Sequence, residues 1–194
     1  MRKVVVVNNV TLDGVMQSPG APDEDTRGGF RHGGWAIPYN DEVKFKEMGK
    51  GMGGRGNMLF GRRTYEKMFK AWHGRTDPNP FTKFLGDARK YVASRTLKEP
   101  LEWENSTLLK GDAADAVATL KKNGESDLVI LGSGELVRSL ARRDLVDQYT
   151  LLIHPLVLGP GLRMFGDDGA FAAFRLAGSV PTTTGVIVAT YERA

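Results

Sequence analysis

Cysteine is absent from the 194 residues, and that one absence removes disulfides, thiolate nucleophiles and cysteine-ligated metals. Histidine is scarce: His32, His73 and His154 lie far apart with no paired ligand spacing, so a zinc site is not expected. No apolar run approaches the roughly 18–20 residues of a membrane span. The first apolar stretch, from Val4, has little basic lead-in and no small-residue cleavage site after it; it does not read as a signal peptide. No membrane partner is expected, and a cytoplasmic location is. An excess of one charge is also missing. The 27 basic and 23 acidic residues leave a formal charge of +4, with the basic residues scattered. Nucleic-acid binding calls for a denser basic footprint; attraction for an anionic cofactor fits the same charge.

What is present is an ordinary globular composition, 41% hydrophobic and 26% charged, with enough length for one domain over 1–194. Apolar patterning predicts strands at 2–10, 57–61, 90–94, 106–111, 127–132 and 147–159, the last broken near Pro155. Helices are predicted at 40–52, 62–72, 81–87, 112–124 and 134–145, and a terminal β-hairpin at 174–194. Strands alternating with helices argue for an α/β layer fold with parallel early strands. Residues 11–38 hold many Gly, Pro and Asp without a period and read as a long loop. Loops of that length in a compact domain are usually functional. With few packing anchors in its composition, the 18–38 part is expected to close over a substrate.

Ligands of open α/β sheets bind beyond the carboxyl ends of the strands, and three such ends carry suitable chemistry. "FGRRTYE" (60–66) turns from strand to helix at Gly61 and adds Arg62, Arg63 and Thr64; free N–H groups of a helix's first turn can take a phosphate. "LGSGELV" (131–137) makes a similar turn through Gly132, Ser133 and Gly134, although it lacks the full dinucleotide fingerprint. It could cradle a phosphate or merely turn a corner. "ASRT" (93–96) ends a strand in Ser94 and Arg95, a hydroxyl and a guanidinium suited to a phosphate monoester.

In order and content these motifs resemble the dihydrofolate reductase-like superfamily, and within it the RibD C-terminal family of riboflavin biosynthesis. The residues carrying the resemblance are "TLDGVMQ" (11–17), "LFGRRTYE" (59–66), "YVASRTL" (91–97) and the long block 128–165. The resemblance implies a three-layer α/β fold with a mixed, mainly parallel sheet, flanking helices and an antiparallel C-terminal hairpin. It also implies NADPH across the strand ends, hydride transfer to a polar heterocycle or sugar-derived imine or carbonyl, and a homodimer. By the same resemblance Asn9 and Val10 face the nicotinamide, and Gly61, Arg62, Arg63 and Thr64 grip pyrophosphate and the ribose 2′-phosphate. Ser94 and Arg95 lie beside the adenosine, and Gly132, Ser133, Gly134, Glu135 and Leu136 form a second pyrophosphate loop. Without cysteine the chain cannot carry the zinc deaminase site of bifunctional relatives. Dihydrofolate reductases place a carboxylate on the first helix, and Asp41 is the nearest candidate here, with a helix cap as its other reading. Asp13 could contact a polar substrate group or form an Asx turn before Gly14. Gly14 and Met16 of the same motif are further candidates for the substrate side. Trp35 could stack on a heteroaromatic substrate or anchor the loop. His154, next to Pro155 in an apolar strand, reads as a satisfied core histidine rather than a catalytic acid.

Overall fold

A computed structural model describes residues 2–51, 56–166 and 171–194. The first strand, β1 (Val4–Thr11), opens with four valines and is buried along nearly its whole length. β-branched side chains on both faces require a layer on each side. The odd-numbered Val5 and Val7 enter one core with Met58, Phe60 and Val129. Val4 and Val6 enter the other with Leu59, Leu128 and Ile130. This period of two makes β1 the centre of the molecule.

Around β1 an eight-stranded sheet runs in the order β4-β3-β2-β5-β1-β6-β8-β7. Its other strands are β2 (Asn57–Gly61), β3 (Lys90–Ala93), β4 (Ser106–Leu109), β5 (Leu128–Leu131), β6 (Gln148–His154), β7 (Phe174–Pro181) and β8 (Ile187–Arg193). The first six strands in chain order are mutually parallel, whereas β8 pairs antiparallel with both β6 and β7. The helices are α1 (Glu42–Gly51), α2 (Arg62–Trp72), α3 (Pro80–Asp87), α4 (Ala113–Lys122) and α5 (Gly134–Ala141). Tyr65 of α2 and Leu85 of α3 fill the core on one face with Met48 of α1; Val117 of α4 and Leu140 of α5 fill the other. The expected layers, parallel strands and antiparallel hairpin are all present.

Boundaries differ where side-chain periodicity is blind to backbone geometry. Helix α5 stops at Ala141 rather than 145, and the chain then takes a left-handed turn at Asp144 (φ 56°). Strand β6 stops at His154 because Pro155 has no N–H to offer the sheet. The long loop also has more anchors than its composition suggests. Phe30, Trp35 and Ala36 pack with Val15, Leu156 and Leu158 into a third, smaller core, so the loop is anchored at Val15 and over residues 30–36, while residues 19–29 are half-buried or exposed. Among the described residues no helix is long and apolar enough to cross a membrane.

Candidate functional site

The chain leaves β1, builds outward through β2, β3 and β4, returns to β5 beside β1, then crosses to β6. Parallel strands on both sides of this reversal aim their carboxyl ends at one edge, where a crevice must open. A groove of about 930 Å³ lies there, walled by the ends of β1, β2, β3 and β5, the starts of α2 and α5, the long loop and α1. The ends of the helices divide into two kinds. Helices α3 and α4 are capped by the side chains of Asn79 and Asp112, and Asp41 does the same for α1 by accepting from Lys44 N–H at 2.7 Å. Neither α2 nor α5 has a side-chain cap. Their first-turn N–H groups, on Arg62 to Thr64 and Gly134 to Leu136, have no intrahelical partner and carry the positive end of the helix dipole. Those two helices open on the groove.

The two turns are stitched together. Gly61 N–H donates to Ser133 Oγ (3.0 Å), and Ser133 N–H donates to Thr64 Oγ1 (3.1 Å). Asn8, buried in β1, clamps the same loop: Gly132 N–H donates to its Oδ1 (2.5 Å) and its Nδ2 donates to the Gly132 carbonyl (3.1 Å). These bonds hold Gly132 and Ser133 in left-handed conformation (φ 62° and 51°), which a non-glycine such as Ser133 adopts only at some cost. The N–H groups of Gly61, Gly132 and Ser133 are therefore spent on shaping the loop. The donors left for an anion are those of the two helix starts. Gly134 is helical rather than left-handed; a side chain there would meet Met16 Sδ at 2.7 Å.

One end of the groove is cationic. Arg62, Arg63, Lys67, Ser94 and Arg95 line it. Arg63 reaches Glu135 at 3.2 Å and Arg27 reaches the same carboxylate at 3.4 Å, while Arg62 pairs with Glu66 at 3.2 Å. Arg27 and the more distant Lys67 (3.9 Å) hold Asp25, and the guanidinium hydrogen bonds lower its carboxyl to about 2. Such exposed pairs are worth about 0–1 kcal/mol, so an incoming phosphate can displace Glu135.

The other end is apolar and weakly charged, lined by Asn8, Asn9, Ile37, Lys44, Phe45 and Met48. Asn9 accepts at Oδ1 from His154 Nε2 (2.9 Å), whose ring is fully buried against the edges of Trp35 and Tyr39. Burial, helped by the Lys44 charge, pushes the imidazole down to about 3. Its Nδ1 has no partner among the described residues, so there the histidine is only half satisfied. The unfolded chain binds a proton at His154 below about pH 6.5 and the folded chain only near pH 3, so stability falls as pH drops through that window. The limiting slope is about 1.4 kcal/mol per pH unit. His154→Leu is expected to flatten the dependence of thermal midpoint on pH between 6.5 and 3; an unchanged slope would assign the acid sensitivity elsewhere.

Of the residues singled out from the sequence, Asn9, Met16, Gly61, Arg62, Arg63, Thr64, Ser94, Arg95, Gly132, Ser133, Gly134, Glu135 and Leu136 all line this groove. Val10, Asp13, Gly14, Trp35 and Asp41 are not among its lining residues, and for Asp13, Trp35 and Asp41 the structural one of the two readings holds. Val10 turns its side chain into the core, which leaves only its backbone to face a nicotinamide. Asp13 accepts from Thr11 Oγ1 (2.6 Å) and from the N–H groups of Leu158 and Gly159 (3.3 and 2.8 Å). The Thr11 hydroxyl and these amides hold its carboxyl below the usual range; it staples the loop after β6 to the end of β1. Gly14 supplies the positive φ of that turn. Trp35 is 7% exposed and donates its indole N–H to the Gln17 carbonyl (2.7 Å), so it anchors the loop from behind. Asp41 accepts from Thr183 N–H and Oγ1 (2.8 and 2.6 Å), and the hydroxyl bond lowers its carboxyl. Sequence reasoning missed Asn8 and Lys44. For Asn8 a signal existed, since an amide inside a run of buried valines must find partners.

A switch-point crevice between two uncapped helices defines the class: a three-layer α/β protein with a groove onto which two free helix starts open. The family model described as "RibD C-terminal domain" matches residues 2–188, and the chain belongs to that family. Among curated proteins it is similar to the uncharacterized protein YyaP of Bacillus subtilis, 25% identical over 98% of this chain and 95% of the other. YwjB of the same organism is 30% identical over 39% of this chain and 44% of its own. The fold is shared with a protein from Shewanella sp. PV-4 described under riboflavin biosynthesis, with TM-score 0.71, 22% identity and 99% of each chain covered. It is shared too with a pyrimidine reductase-like protein of Corynebacterium diphtheriae, with TM-score 0.66, 13% identity and 100% and 92% of the chains covered.

Proposed function

We propose that the chain is an NADPH-dependent reductase acting on a polar heterocycle or a sugar-derived imine or carbonyl, a ribosylaminopyrimidine of riboflavin synthesis being the first substrate to test. The observation that carries this reading is the pair of uncapped helix starts, stitched through Ser133 and clamped by Asn8, beside a cationic cluster. Donors of that kind fit a pyrophosphate, and Arg63, Ser94 and Arg95 fit a ribose 2′-phosphate. The reduced nicotinamide supplies hydride when bound. The chain's own part is to bind the diphosphate with α2 and α5, orient the reacting ring against Asn9, and exclude water with the anchored long loop. The RibD C-terminal match and the fold shared with a pyrimidine reductase-like protein support a reductase of this family. A homodimer is part of the proposal, supported by Phe165 and Leu176, which lie exposed near and on the edge strand β7.

A direct test titrates NADPH and NADH by nicotinamide fluorescence, then follows absorbance at the nicotinamide band with pterins, pyrimidines and quinones added. NADPH binding followed by oxidation with at least one class is expected. Binding without turnover on every class would favour a dinucleotide sensor on the same fold, for which the removal of Asp13 and Asp41 from the groove is the supporting feature. No binding of either dinucleotide would reject the proposal.

A further inference from the structure

Three lysines are buried among the described residues, and they are not alike. Lys121 is bonded to the carboxylate of Asp147 and the carbonyl of Leu145. Lys90 donates to the carbonyls of Ala88 and Glu104 (2.9 and 3.1 Å) and lies 4.6 Å from the centre of the Trp103 ring. Both are spent on the fold. Lys44, 3% exposed, donates to Asn40 Oδ1 at 2.9 Å and more distantly to the Ala36 carbonyl at 3.4 Å. An ammonium has three donors, and the third has no acceptor among the described residues. Among the described residues no carboxylate bonds Nζ: Asp41 is bonded to Thr183 and to the Lys44 backbone N–H instead. Lys44 alone of the three lines the groove, and its charge acts on His154, the partner of Asn9.

We propose that Lys44 is the hydrogen-bond and proton donor to the substrate, and that it selects a planar acceptor presenting a carbonyl or oxyanion oxygen rather than an amine. This deepens the reductase reading and rests on it. A desolvated cation with no carboxylate bonded to it favours an oxygen lone pair and disfavours a ring edge that presents only N–H groups. Phe45 and Met48, on the same helix, supply the apolar flank for the ring. On reduction the acceptor carbon gains hydride, the reduced nicotinamide being the two-electron donor. The oxygen takes a proton from Nζ: an N–H bond breaks, an O–H bond forms, and water returns the proton to the neutral amine. Burial lowers the ammonium to about 8, a value suited to giving up a proton near neutrality. The titratable groups acting on Nζ are Asp41, which opposes that shift, and the neutral imidazole of His154 on β6, itself depressed by the lysine.

The test compares two rings of one shape and opposite edges, lumazine (a dione) and 2,4-diaminopteridine, binding at pH 7 to wild type, Lys44→Met and Lys44→Glu. Wild type is expected to prefer lumazine at least tenfold, Lys44→Met to lose the preference, and Lys44→Glu to invert it. NADP⁺ titrated in parallel should bind all three proteins alike. In protein labelled at lysine Cε, the Lys44 signal, identified by its loss in Lys44→Met, should titrate near 8 and move to higher pH with lumazine bound. Equal or absent binding of both rings to wild type, or a midpoint that lumazine leaves in place, would overturn the proposal. If NADP⁺ fails to bind wild type while the ring preference holds, the reductase reading falls and the role of Lys44 as a selective hydrogen-bond donor stands.

Discussion

Replacing Arg63 and Arg95 together by alanine is expected to weaken NADPH binding by at least about tenfold and to leave NADH nearly as before. The two cofactors differ by one ribose 2′-phosphate, a dianion. Both arginines line the cationic end of the groove, Arg63 from the first turn of α2 and Arg95 just beyond β3. Neighbouring parallel strands bring these two points together, for β2 and β3 are paired as far as Gly61 and Ala93. A charge-assisted hydrogen bond contributes roughly 1.5–3 kcal/mol, and about 1.4 kcal/mol is a decade in affinity. The fold has little to lose, because the partner of Arg63 is the exposed Glu135. Competition titrations of both dinucleotides on the double variant read the outcome. An equal loss for NADH and NADPH would place the arginines on the pyrophosphate, and a wild-type preference for NADH would reject NADPH as the cofactor.

Asn8→Ala is expected to act on both stability and cofactor binding. Asn8 is 4% exposed, and its amide is the only side chain seen to bond both the N–H and the carbonyl of Gly132 among the described residues. Its removal leaves two backbone groups of the half-buried Gly132 without their side-chain partner, which costs about 1–3 kcal/mol and lowers the thermal midpoint. It also frees the left-handed pair Gly132 and Ser133, whose conformation aims the start of α5 at the groove. Dinucleotide affinity of the folded protein should fall at least about tenfold, by the same conversion. Asn8→Asp keeps the acceptor for Gly132 N–H but opposes a carboxylate to the carbonyl, so it should not restore binding. Calorimetric melting and dinucleotide titration on the same samples separate the two effects. Unchanged affinity in a folded Asn8→Ala protein would show that the loop is only a corner.

Much of the site was legible because it is local. Gly61 and Gly132 end strands whose helices begin within two residues, so the pattern of apolar strand, glycine and amphipathic helix places them at one edge of any parallel sheet. The strand ends bearing Ser94 and Arg95 follow from the same logic. What such patterns cannot show is which groups the turns spend on each other. The bonds from Gly61 to Ser133 and from Gly132 to Asn8 span 72 and 124 residues. They determine that the anion donors are the helix starts rather than the glycines themselves.

The carboxylates make the same point. Asp13 and Asp41 have the residue type and neighbourhood of catalytic groups, yet their partners, Gly159 and Thr183, come from far along the chain. For Trp35 the sequence leaves a stacking platform and a loop anchor both open, and only the packing of Phe30, Leu156 and Leu158 around it decides for the anchor. The sequence alone determined the alternation of strands and helices, the two cores on either side of β1 and the edge at which a ligand must bind, since these follow from side-chain periodicity and turn chemistry within short windows. Tertiary structure alone decided which polar side chains face the groove. Lys44 does and Asp41, three residues earlier, does not, because the turn before β8 engages the Asp41 carboxylate through Thr183 and leaves Nζ bonded to neutral oxygens alone among the described residues.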